Sequence, residues 1–251
     1  MKLWFCTLFL PLVISQSIYA TNSMLFITYQ TAQSADESSA AQLIKQSELD
    51  VTLVELNAHH FPLNHPLTIE YGSDDGPLYD PSTHSITIPY AFILESIDYL
   101  EKAGFEPSQA SQLAMDTLLH TLLHEMAHAL IADNQIPILA KEEDAADNLA
   151  AIMMINYVEQ GDSAAINAAD IFALEAEGKP EYYELGDYID EHSFDLQRYF
   201  ATLCLVYGSD PKKHKTLLDE VEKHFLSDRK DFCIEQFAVT NENWHFYLKD
   251  D

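Results

Sequence analysis

The chain has 251 residues, with 41 Asp and Glu against 13 Lys and Arg and a formal net charge of −28. That balance argues against nucleic acid and anionic lipid as partners, because both repel an acidic surface. Apolar residues make up 47% of the chain, enough for a substantial core, and beyond the N-terminus no apolar run is long enough to span a membrane.

The N-terminus reads as a leader. Lys2 is followed by an apolar run from Leu3 to Ile14 and then by Ser17-Ile18-Tyr19-Ala20. A basic start, an apolar stretch too short to span a bilayer and a small residue at the cut describe a secretory signal over residues 1–20. Cys6 has no small residue just before it, so a lipid anchor is not expected. The mature chain, residues 21–251, is then periplasmic or extracellular and reads as one domain, with a sheet-containing part to about 104 and a helical part from about 105. Cys204 and Cys233 remain after cleavage, and an even pair in an oxidising compartment predicts one disulfide.

Met24–Tyr29 is short, β-branched and aromatic, which predicts a strand. From Ala40 the apolar positions Ile44, Val51, Val54, Ala58 and Phe61 follow helical spacing to Pro62, although Val51–Leu56 alone also suits a strand. Leu67–Tyr71 and Ser85–Ile88 read as two strands of a long hairpin across a Gly- and Asp-rich connection. Pro89 cannot donate to a ladder, which predicts an edge for the second strand, open to an extended peptide. The rest reads as helix: 91–103, Pro107 to about Asn134, 141–159, 163–177, 188–207 and 211–225. The expected class is α+β, a small antiparallel sheet followed by a mostly helical domain.

The helix from Pro107 carries His124-Glu125-Met126-Ala127-His128 inside the apolar positions Leu118, Leu119, Leu122, Leu123, Leu130 and Ile131. Histidines four apart share a helix face, so both imidazoles can address one ion, and Glu125 can reach a water beside it. Two imidazoles, a divalent cation and a carboxylate base are the parts of a zinc hydrolase. A pattern of this length also arises by chance, and the alternative is a pair of core histidines.

A third ligand decides the subclass. The long metzincin pattern needs Gly at 131 and His at 134, where this chain has Ile131 and Asn134. The following Glu142-Glu143-Asp144-Ala145-Ala146-Asp147 places Glu143 and Asp147 on one helical face. It looks like the Glu-x-x-x-Asp segment of gluzincins, which implies Glu143 as zinc ligand and Asp147 as the acceptor that holds a ligand histidine. Glu142 and Asp133 compete for the ligand role. Small residues Ala145, Ala146, Ala150 and Ala151 favour a close approach of the two helices.

Together with His192-Ser-Phe-Asp-Leu-Gln-Arg198 and Tyr207-Gly-Ser-Asp-Pro211, these motifs resemble a bacterial family of proposed zinc metallopeptidases of unknown function, over most of the mature chain. The resemblance implies Zn²⁺ held by His124, His128 and Glu143, with Glu125 as the base and a peptide or protein as substrate. On the expected helix, His192, Asp195 and Arg198 are spaced by three. His192 is then a candidate donor to an oxyanion, Asp195 its orienter and Arg198 a partner for a carboxylate, unless the three form a surface ion-pair cluster. His120 reads as a packing or supporting residue; His59, His60, His65 and His84 receive no role. The alternative function is a non-catalytic exported protein that binds zinc or peptide.

Overall fold

A computed structural model describes residues 24–177 and 183–249. The expected leader, residues 1–20, lies outside the described residues. The chain opens with β1 (Leu25–Tyr29), α1 (Ala35–Gln46) and α2 (Leu49–His59). Ser34 caps α1 by accepting from the Glu37 N–H at 3.1 Å. The single long helix expected to end near Phe61 is broken, because Glu48 adopts φ 59°, a left-handed conformation no helix can pass through. Val51 and Val54 belong to α2, so the strand alternative falls away.

β2 (Leu67–Tyr71), β3 (Leu78–Asp80) and β4 (Ser85–Ile88) complete a four-stranded sheet in the order β1-β2-β4-β3. The antiparallel sheet expected from sequence is corrected here. β1 runs parallel to β2 with Ile27 beside Ile69, and β2 runs parallel to β4 with Ile69 beside Ile86. Only β3 and β4 are antiparallel, with Tyr79 opposite Ile86. The reason is connectivity: α1 and α2 form a crossover, which joins parallel strands. The hairpin joins β3 to β4, not β2 to β4. β4 is consequently interior, and the edge strands are β1 and β3. Pro89 breaks no ladder because it follows the last strand residue and sits at the N-cap of α3 (Tyr90–Lys102).

The inward positions of β2 and β4 (Leu67, Ile69, Tyr71, Ile86, Ile88) are fully buried. They share one core with α4 (Pro107–Asn134), which begins with Pro at its first turn and ends where Gln135 turns left-handed at φ 52°. Leu118, Leu122, Leu123, Met126, Ala127 and Leu130 of α4 are inaccessible to solvent. A helix this apolar on most sides belongs inside, and α4 packs against α3, α5 (Glu142–Tyr157) and α6 (Gly161–Glu177).

A single 3₁₀ turn at Asp187–Ile189 precedes α7 (Asp195–Ser209), and α8 (Lys223–His245) closes the described chain. Two expectations are corrected. The helix predicted over 188–207 starts only at Asp195, and 211–221 is a series of turns, with the final long helix after it. The expected Cys204–Cys233 disulfide is formed and links α7 to α8. There the helices touch closely at Gly208, where an added Cβ would lie 2.2 Å from the Cys233 carbonyl oxygen. The class is α+β and mostly helical, as the sequence predicts.

Candidate metal centre

His124 and His128 project from consecutive turns of α4 toward the first turn of α5, where buried Ala146 and Ala150 let the helices close together. His124 Nε2 lies 3.1 Å from Glu143 Oε2 and 3.1 Å from His128 Nε2, and His128 Nε2 lies 3.5 Å from the same carboxylate oxygen. The three residues form a group able to hold a metal ion. No other such group occurs among the described residues.

The opposite ring nitrogens fix the tautomers. His124 Nδ1 meets Asp147 Oδ1 at 2.8 Å, and His128 Nδ1 meets Glu142 Oε1 at 2.9 Å. A carboxylate can only accept, so each Nδ1 carries a proton; each Nε2 donates to Glu143 when the ring is protonated and presents a lone pair when it is neutral. Three acceptors converging on one point repel each other unless a cation or a proton lies between them.

The surrounding charges show the same bias. Burial opposes imidazolium at His124, but hydrogen bonds to Asp147 and Glu143 outweigh it and raise its pKa to about 9. Burial also opposes charge on Glu143, yet contacts with His124, His128 and His192 hold it far below the usual carboxylate range. Asp147, likewise disfavoured by burial, is held low by Arg198 and His124. The Arg198 guanidinium grips Asp147 twice, Nε to Oδ2 at 2.7 Å and Nη2 to Oδ1 at 2.9 Å, and lies 4.0 Å from the centroid of the Phe172 ring. The site is therefore a chain of hydrogen bonds from α7 through α5 to α4.

A family model described as "Putative metallopeptidase" matches residues 29–248. The chain belongs to this family. No curated protein and no solved structure matches it.

The remaining candidates can now be placed in this member of the family. Glu125 is buried beside the two histidines and accepts from the backbone N–H of Tyr79 on β3; burial raises its pKa above the ordinary glutamate value. The outer edge of β3 thus faces the centre. His192 also arrives, with Nε2 2.9 Å from Glu143 Oε2, but not from a helix. It precedes α7, so the expected alignment of His192, Asp195 and Arg198 on one helical face is not formed. Lys141 Nζ anchors the His192 carbonyl at 2.8 Å, and the carboxylate beside its Nδ1 is Asp190, 3.9 Å away.

Two competitors for the third position are used elsewhere. Asp133 is bound by the backbone N–H groups of Asn64 and His65 and by the His65 ring. Glu142 supports His128 much as Asp147 supports His124, a role sequence reasoning missed although Glu142 lies beside Glu143. The pairing of Arg198 with Asp147 was missed too: 51 residues separate them, and neither carries a spacing signal.

Proposed function

We propose that the chain is an exported zinc-dependent metallopeptidase of gluzincin type, with His124, His128 and Glu143 holding Zn²⁺. The observation that carries this is the convergence of two Nε2 nitrogens and one carboxylate oxygen at mutual separations of 3.1, 3.1 and 3.5 Å. Ligands about 2.0–2.1 Å from a tetrahedral zinc lie roughly 3.3 Å apart, so the donor set fits the ion. Zinc, when bound, supplies Lewis acidity and brings the pKa of a coordinated water to about 7.

The chain's own residues supply the rest of the reaction. Glu125, buried and raised in pKa, takes a proton from the attacking water and passes it to the leaving amine. His192 Nε2 is the N–H donor available to the oxyanion of the tetrahedral intermediate. The open edge of β3 offers backbone groups to an extended peptide, which would lie along the sheet beside Glu125. Export rests on the N-terminal leader pattern and accords with the Cys204–Cys233 disulfide.

Zinc stoichiometry on the mature protein, together with cleavage of a peptide library read by mass spectrometry, tests the reading. One zinc per chain is expected in the wild type and in Glu125→Gln, with severe loss in His128→Ala and Glu143→Ala. Glu125→Gln should abolish turnover. Persistent cleavage by that variant would remove Glu125 as the base, and a wild type that binds no zinc after reloading would remove the enzyme reading.

A further inference from the structure

A cavity of about 220 Å³ opens directly beside His124 and Glu125. Its floor is one stripe of α4, Thr117, His120 and Thr121, and its walls include Phe92 and Phe172. His120 is 3% exposed, and its Nε2 is buried without a hydrogen-bond partner. Buried polar atoms are ordinarily paired, so an orphan nitrogen in the residue lining a cavity marks a place for a ligand group. Burial, the dominant influence, lowers His120 to a pKa of about 4, so the ring is neutral at physiological pH. The threonine hydroxyls already donate to the carbonyls of Leu113 and Thr117, at 2.9 and 3.0 Å, and can only accept from an occupant.

We propose that this cavity binds a tyrosine side chain flanking the scissile bond, with the phenol oxygen paired to His120. The inference rests on the peptidase reading for the scissile bond but not for the cavity's chemistry. A hydroxyl both donates and accepts, so it satisfies His120 in either tautomer, while a phenyl ring leaves the nitrogen orphaned. Aromatic walls suit a ring: Phe172 and His120 already form a T-shaped pair with centroids 5.8 Å apart. Size allows it too, since an apolar cavity of about 150 Å³ holds benzene.

The test has two arms, both on the mature zinc-loaded protein. In the first, p-cresol and toluene are titrated into Glu125→Gln while the His120 ring nitrogens are followed by ¹⁵N NMR. p-Cresol should shift the His120 resonances, and toluene should leave them nearly unmoved. In the second, peptides of small residues with a single Tyr, Phe, Leu or Lys are compared for kcat/KM by the wild type. Tyr should exceed Phe by about tenfold, the worth of one neutral hydrogen bond, and His120→Leu should reverse that order. A p-cresol response without cleavage of any peptide would uphold the cavity's chemistry and overturn the peptidase reading. Equal cleavage of Tyr and Phe peptides, with His120 unmoved by p-cresol, would overturn the tyrosine assignment and leave the peptidase standing.

Discussion

Asp147 ties the candidate ligand His124 to Arg198 of α7. Its two oxygens accept from His124 Nδ1 and from two nitrogens of Arg198, and its side chain is 9% exposed against 16% for Arg198. Replacing one member of a buried ion pair strands the other, at a cost of about 3–5 kcal/mol. Asp147→Asn should therefore destabilise the protein by roughly 3 kcal/mol in urea unfolding and weaken zinc binding about 10–100-fold by losing the hold on His124. Adding Arg198→Met should recover part of the stability but none of the zinc affinity; a double variant as unstable as the sum of the singles would mean the two do not act as a pair. The core of this site was legible in sequence because helical periodicity forces residues four apart together, first His124 and His128, then Glu143 and Asp147. Contacts across elements lack such a rule, which is why Arg198 on Asp147 and Glu142 on His128 emerge only from the fold.

Helices and strands were legible where one local signal dominated. α4 combines an N-terminal Pro107 with a long apolar pattern, and its bounds follow from sequence within a residue. The sheet direction was not local: it depends on α1 and α2 serving as a crossover, which strand patterns do not encode. The 211–221 segment misled because Leu217, Leu218 and Val221 mimic a helical stripe, whereas Asp210 ties the backbone N–H groups of Lys212 and Lys213 into a turn. That segment is docked on the start of α6 by Asp162, which accepts from His214 Nε2 at 2.7 Å and pairs with Lys213. Burial opposes ionisation of Asp162, but these partners win and lower its pKa below the ordinary 3.8. A lowered carboxylate stabilises the fold fully above its unfolded pKa and loses that contribution as pH falls through the folded value. Asp162→Asn should cost about 1 kcal/mol at pH 7. The gap from wild type should shrink as pH drops below about 4. A gap that stays constant down to pH 2 in thermal unfolding would rule out the charge as its source.

At the scale of the whole molecule, α7 joins two separate fastenings. Arg198, in its first turn, reaches the metal centre, and Cys204, six residues on, is bonded to α8. The disulfide closes a loop with a sequence separation of 29 residues, for which chain entropy alone gives about 3–4 kcal/mol. On the proposed zinc reading, the ion at a hundredfold excess over its dissociation constant would add about 2.7 kcal/mol by mass action, because the unfolded chain has no assembled site. The two contributions should add. The Arg198 guanidinium meets Asp147 of α5 and the Phe172 ring of α6, neither of them a residue of α8. Removing the bridge should therefore leave the metal centre intact. In calorimetry at fixed zinc, the paired Cys204→Ser and Cys233→Ser variant should unfold at a lower temperature than wild type. Zinc should nevertheless stabilise both proteins to within about 0.5 kcal/mol of each other. A much smaller zinc effect in the bridgeless protein would show that α8 holds α7, and through it Arg198, in place.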